Sequence, residues 1–100
     1  MKVVYTDRFQ TLLVREFEYG IERFGRIVAE RTYNRVISQI ERFLVGHPRT
    51  GAYVADFDAF HGWIPGTLFV VFYRVDPQSD TLTVLVLLHQ SQDRDDLDLG

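Results

Sequence analysis

Hydrophobic residues recur along the first half of the chain at the spacing of two amphipathic helices. The first series is Phe9, Leu12, Leu13, Phe17, Ile21 and Phe24, and the second is Ala29, Tyr33, Val36, Ile37, Ile40 and Leu44. Intervals of three and four place each series on one face of a helix. Gly25 separates the two series and is typical of the residue that ends a helix. The pattern therefore predicts an αα-hairpin, with the second helix over 26–45.

The ends of both helices carry recognisable signals. Thr6 and Asp7 offer an N-cap, and Asp7 with Gln10 has the spacing of a capping box. At the other end of the hairpin, Gly46 and Pro48 stop the second helix.

Short apolar runs separated by turn residues follow in the second half. They predict strands within 56–64, over 67–75 and over 81–88, after a loop at 49–55, and a short strand at 2–6 opens the chain. In the last strand Leu82, Val84, Val86 and Leu88 share one face, and Thr81, Thr83, Leu85, Leu87 and His89 share the other. A strand that is apolar on both faces is a central strand covered on each side.

The element order β-α-α-β-β-β predicts an α+β fold in a single domain over residues 1–100. We expect the helical hairpin to pack on one face of an antiparallel four-stranded sheet, with the first strand inserted into it or beside it. The other face should be partly open, which makes it the default place for a partner or ligand. His89 is expected at the end of a strand on that face.

Charge and composition narrow the range of functions that the chain could have. The formal net charge is −3, with ten Arg and one Lys. Proteins that bind nucleic acid through its phosphates are usually basic, so direct nucleic-acid binding is not expected. The chain has no Cys, which excludes disulfides and fits a cytoplasmic location. No run approaches the length of a membrane span.

Neither a metal nor a cofactor is expected. Asp56, Asp58 and His61 lie close together in the sequence, but alternation along a strand would put the two carboxylates on one face and the imidazole on the other.

Four segments resemble the RelE/ParE superfamily of type II toxins, and the ParE-like branch most closely. They are KVVYTDRF at the start, HPRTG after the second helix, FVVFYRVD in the third predicted strand and VLLHQSQD near the end. The resemblance implies a bacterial toxin that a cognate antitoxin neutralises. It also implies one of two activities, because RelE-like members cleave mRNA on the ribosome without a metal and ParE-like members are associated with poisoning DNA gyrase. The fold alone does not choose between them.

The residues needed for RNA cleavage are sparse. Metal-free cleavage requires a base, an acid and cations that stabilise the phosphorane. Val70 and Gln92 occupy positions where RelE-like enzymes are expected to carry Arg, and the segment FDAFHGWI has no cation. His89, Arg74 and Arg94 remain as candidates if the chain is a ribonuclease, and His61 remains as a further side chain that could carry positive charge. For His89 a structural role at the sheet edge is the favoured alternative.

Candidates for partner binding are Trp63, Arg49, Arg74, His89 and Arg94. An exposed Trp often anchors an interface, although a core position is an equal alternative for Trp63. Arg74 should share a face with Val70 and Phe72, where pairing with Asp76 or Asp80 competes with a partner contact. The first hypothesis is therefore a ParE-like toxin that binds a target protein such as DNA gyrase. The alternatives are a ribosome-dependent mRNA endonuclease and a non-toxic relative that only binds an antitoxin.

Overall fold

The computed structural model describes residues 1–90. The elements are β1 (Lys2–Tyr5), α1 (Asp7–Phe24), α2 (Arg26–Ser38), a π-helical segment (Gln39–Leu44), β2 (Ala52–Val54), a 3-10 turn (Ala55–Phe57), β3 (Ala59–Trp63), β4 (Phe69–Asp76) and β5 (Thr81–His89). The predicted α+β architecture of a helical hairpin against a sheet is confirmed.

The sheet has five strands rather than four, in the order β1-β5-β4-β3-β2. The additional strand is β2, which lies in the region predicted to be a loop and pairs with the start of β3. β1 runs parallel to β5, whereas the other neighbours are antiparallel. A three-residue edge strand carries too little alternation to be predicted, which explains the error.

The N-terminal end of α1 is held by Thr6. Its Oγ1 accepts a hydrogen bond from the Phe9 N–H at 3.0 Å and donates one to the Leu85 carbonyl at 2.7 Å. Gln10 donates to the Tyr5 carbonyl rather than completing a capping box with Asp7. The cap therefore lies one residue earlier than the capping-box spacing indicated, and it also ties the helix to the sheet.

Gly25 separates the two helices with a positive φ of 89°, a conformation that favours glycine. Beyond Ser38 the second helix widens into the π-helical segment instead of continuing as an α-helix to Val45. A π-helix has more than four residues per turn, so Ile40 and Leu44 lie nearly one above the other. Both are buried in the core between helices and sheet.

β5 is an interior strand buried on both sides, as its composition predicted, but its faces change at a bulge. Phe72 pairs with Val86 and Tyr73 with Val84, which leaves Leu85 without a partner position on β4. Leu82, Val84 and Leu87 consequently pack towards the helices, while Leu85, Val86 and Leu88 join the cluster on the other face. Regular alternation along the strand was therefore the wrong prediction, because one extra residue reverses it.

Candidate partner-binding site

A cavity of about 530 Å³ opens between the helical hairpin and one end of the sheet. We call it the hairpin cavity. Its principal walls are Phe17, Phe24, Val28, Leu68, Phe69 and His89. Aromatic and aliphatic side chains thus dominate a concave surface of the size used for ligand or peptide side chains.

The length of α1 creates this cavity. Eighteen residues of helix extend about 27 Å. The tip of the hairpin at Gly25 leaves Phe24 62% and Ile27 69% exposed. Gly20 lets the helices approach closely there, since a Cβ at that position would lie 3.4 Å from the Cβ of Ala29. The sequence therefore builds a projection on which the described residues leave the apolar side chains Phe24 and Ile27 largely uncovered.

His89 lies in the hairpin cavity and not on the face away from the helices. The bulge at Leu85 turns Leu87 and His89 towards the helical side. The imidazole meets the ring of Phe69 edge to face at a centroid distance of 5.9 Å. The prediction that His89 lies on the open face is therefore wrong.

Arg74 lies on the same face as Val70 and Phe72, as predicted. Its guanidinium does not pair with Asp76 or Asp80. Nε donates to the Asp58 carbonyl at 2.9 Å and Nη2 to the Phe57 carbonyl at 3.0 Å. These bonds hold the 3-10 turn against β4, so the expected ion pair is replaced by a structural contact with the backbone.

His89 and Arg74 are not brought together. His89 is opposite Phe69 and Arg74 is opposite Thr83, five residues further along β4. That separation is about 17 Å, and the two side chains leave opposite faces of the sheet. No single substrate phosphate could contact both groups.

Asp56 and Asp58 are in the turn before β3 and not in the predicted strand. Asp58 has a positive φ of 48° and accepts a hydrogen bond from the Tyr53 hydroxyl at 2.6 Å. The ring of His61 packs against Phe72. Within residues 1–90, no three His, Cys, Asp or Glu side chains form a group that could hold a metal.

The remaining candidates occupy other places. Trp63 is 57% exposed and donates its indole N–H to the Thr67 carbonyl. It is therefore on the surface, and the alternative of a core position is wrong. Arg49 is exposed in the turn before β2. Arg94 lies outside the described residues. Val28 and Leu68, which line the hairpin cavity, were missed. Phe24 was predicted on the buried face of the first helix, but it is mostly exposed, because the tip of the hairpin extends beyond the sheet.

The sheet face away from the helices is less open than expected. Val70, Phe72, Val86 and Leu88 are all buried there. Phe57 and His61 pack against Phe72 with ring centroids 5.5 and 5.0 Å away. The hairpin cavity is therefore a concave surface on the helical side of the sheet and not on the face away from the helices. No helix among the described residues is long and apolar enough to cross a bilayer.

A family model described as "ParE toxin of type II toxin-antitoxin system, parDE" matches residues 3–94. The chain belongs to the ParE toxin family. A solved structure titled "Chromosomal ParDE TA system from P. aeruginosa" is similar to this ParE-family chain with a TM-score of 0.77 and 13% sequence identity. The match covers 89% of this chain and 95% of the other. At that identity the likeness supports the fold, and no curated protein matches the sequence.

Proposed function

We propose that this chain is a type II toxin that acts by binding a target protein, and that a cognate antitoxin neutralises it by occupying the hairpin cavity. The single observation that carries the proposal is the apolar hairpin cavity on a chain of the ParE toxin family. Its lining suits the apolar face of a helix, which binds through residues spaced by three and four. DNA gyrase is the proposed target, and the cytoplasm is the proposed location.

The separation of His89 from Arg74 favours binding over RNA cleavage. A phosphodiester transition state needs its cations within hydrogen-bonding distance of one phosphate. The Arg74 guanidinium instead donates hydrogen bonds to two backbone carbonyls, and Arg74 lies towards the far end of β4. His89 lies against Phe69 in an apolar wall, an arrangement that suits packing against a partner.

A supercoiling assay with purified gyrase tests the target. The proposal expects inhibition of supercoiling or trapped cleavage complexes when the purified chain is added. Unaffected gyrase would contradict the gyrase assignment. Codon-specific mRNA cleavage in a translation system, lost in His89→Ala, would favour the endonuclease instead. Expression that leaves growth unchanged would favour a non-toxic relative.

Neutralisation is tested separately by co-expression with the neighbouring small gene. We expect the product of that gene to restore growth and to copurify with the chain. An interface that buries about 1,600 Å² in total is the usual size for a stable complex of this kind. A chain that inhibits growth equally with and without its neighbour would contradict the antitoxin assignment.

A further inference from the structure

The sheet face away from the helices is buried more completely than a two-layer fold explains. Val70 is 6% exposed, Val86 1% and Leu88 8%, and all three belong to a cluster separate from the core under the helices. Side chains on a sheet face without a second layer stay partly in solvent, so side chains this buried need a cover. We call the surface formed by Val70, Val86 and Leu88 the far patch.

Residues 1–90 supply an apolar cover at one end of this face. Among them, the partly buried apolar side chains that pack on the cluster are Leu12, Val54 and Phe57. Leu12 comes from α1, on the helical side. Val54 pairs with the first residue of β3, and the Phe57 ring lies against Phe72. This cover therefore lies at the end of the face where β3 begins.

The opposite end of the face lies where β3 finishes. There Trp63, Val70 and Leu88 form a row across β3, β4 and β5. Trp63 is 57% exposed, and its indole N–H donates to the Thr67 carbonyl of the β3–β4 turn. The row thus has an exposed margin beside two buried members, for which residues 1–90 provide no apolar cover from outside the sheet.

The chain leaves the sheet at this end. β5 ends at His89, one residue after Leu88, and the Gln90 N–H donates to the Leu68 carbonyl at 2.8 Å. Ten residues follow, 91–100. An extended chain of that length spans up to roughly 33 Å, whereas crossing from β5 to β3 takes about 10 Å. The segment is therefore long enough to reach every part of the far patch.

The sequence of 91–100 suits a cover for an apolar sheet face. Leu97 and Leu99 alternate with Asp96 and Asp98, so an extended conformation would direct both leucines to one side and both carboxylates to the other. The segment carries four Asp and one Arg, which equals the formal net charge of −3 of the whole chain. The ParE toxin family model matches only as far as residue 94, so both leucines lie beyond it.

We propose that residues 91–100 lie across the far patch and pack Leu97 and Leu99 on Val70 and Leu88. The cover is thus a segment of this chain and not a partner protein. It replaces an apolar surface by an acidic one and leaves the hairpin cavity accessible. A partner that binds the far patch would first have to displace the segment. This inference does not depend on the proposed function.

Thiol labelling tests the cover in the full chain. The chain has no Cys, so one introduced thiol reports the exposure of one position. Val70→Cys places the thiol in the far patch. Val71→Cys places it at the next position, which is 0% exposed in the core on the helical side. A water-soluble maleimide should label both slowly as long as residues 91–100 are unchanged.

Removing the two leucines should uncover one position and not the other. With Leu97→Asn and Leu99→Asn together, we expect the labelling rate of Val70→Cys to rise at least about tenfold and that of Val71→Cys to stay the same, because only local opening is needed at the far patch. The matched control replaces Asp96 and Asp98 by Asn, and it should leave the rate of Val70→Cys nearly unchanged.

Methyl nuclear Overhauser effects in the unsubstituted chain locate the segment directly. We expect cross-peaks from Leu97 or Leu99 to Val70 and Leu88. Cross-peaks to Val28 instead would assign the segment to the hairpin cavity and overturn the inference.

Three further results would contradict it. A labelling rate of Val70→Cys that ignores the leucine substitutions would show that the segment is not the cover. An equal rise at Val70→Cys and Val71→Cys would show that the whole fold opens, and not one face. Slower labelling of Val70→Cys at higher protein concentration, together with dimers in sedimentation, would make a second copy the cover. Failure of the gyrase or antitoxin assays would leave the labelling result intact.

Discussion

The hairpin cavity and a second cavity of about 600 Å³ lie on either side of the β3–β4 turn, yet they are built differently. The second cavity, which we call the edge cavity, is lined by residues that include Phe43, Gly51, Gly62 and Trp63. The hairpin cavity has walls of large apolar side chains carried by helices that extend beyond the sheet. The edge cavity has a floor of backbone, where Gly51 and Gly62 rest on the buried Tyr73. Apolar walls match the side chains of a partner helix, whereas a floor of packed backbone is a fixed part of the fold.

The two regions also differ in how their surfaces are held: the floor of the edge cavity is fixed by a hydrogen bond, whereas side chains at the tip of the hairpin are exposed. The Tyr73 hydroxyl accepts a hydrogen bond from the Gly51 N–H at 3.1 Å, which fixes the floor of the edge cavity. The tip of the hairpin instead leaves Phe24 and Ile27 mostly in solvent. Substitutions in the floor of the edge cavity should change folding stability, whereas substitutions of apolar residues that line the hairpin cavity, such as Phe24 and Val28, should change binding.

Gly51→Ala should have the largest effect on stability. The new Cβ would meet the His61 carbonyl and the Tyr73 hydroxyl at distances below 3 Å, so the backbone must shift. We expect a loss of about 1–3 kcal/mol in the free energy of unfolding. Gly46→Ala is the matched control, because nothing lies within 4 Å of its Cβ position. Urea unfolding of both variants measures the difference, and equal stabilities would contradict the packed floor.

Tyr73→Phe should have a smaller effect. It removes the acceptor of the Gly51 N–H and leaves that donor without a partner in a half-buried position. The expected cost is about 1 kcal/mol. Tyr53→Phe removes an exposed hydroxyl that donates to Asp58 and should cost less than about 0.5 kcal/mol. If the two variants were equally stable, the Tyr73–Gly51 bond would not hold the floor.

Alkaline pH should have the smallest effect on the free energy of unfolding, and that effect should be a loss of stability. Burial raises the pKa of Tyr73, and the Gly51 hydrogen bond lowers it by less. Burial, followed by the hydrogen bond to Glu41, also raises the pKa of Tyr5. A raised folded-state pKa gives stability that is complete below the unfolded value of about 10 and is lost as pH rises towards the folded value.

Urea midpoints at pH 9 and pH 11 measure this loss. We expect Tyr73→Phe to lose less stability between the two values than the unmodified chain does. An equal loss would show that Tyr73 ionises as readily in the folded state as in the unfolded state.

Much of the fold could be predicted from hydrophobic spacing. The helical hairpin, Gly25 at its turn and the interior position of β5 all depend on local patterns that tertiary structure did not override. The bulge at Leu85 could not be predicted. It belongs to the register between β4 and β5, and its Leu85 carbonyl accepts a hydrogen bond from the Thr6 hydroxyl, 79 residues away. The bulge decides which face His89 occupies.

The candidate site was predicted less well for the same reason. Alternation assigned His89 to the face away from the helices, and the fold placed it in the hairpin cavity. Arg74 was placed on its correct face, but its partners are carbonyls of a turn that no sequence pattern marked. Cavities form between elements that are distant in the sequence, so residues such as Val28 and Leu68 become recognisable only when the elements are assembled.

The central claim is that the hairpin cavity binds the antitoxin. Val28 lines this cavity, and the adjacent Ile27 does not, although both are exposed. The decisive measurement is the Kd of the complex with the product of the neighbouring gene, compared for Val28→Glu and Ile27→Glu. We predict that Val28→Glu raises the Kd at least about tenfold, because it places a charge in an apolar interface, while Ile27→Glu leaves it nearly unchanged. Equal Kd values for the two variants, with both folded, would contradict the claim.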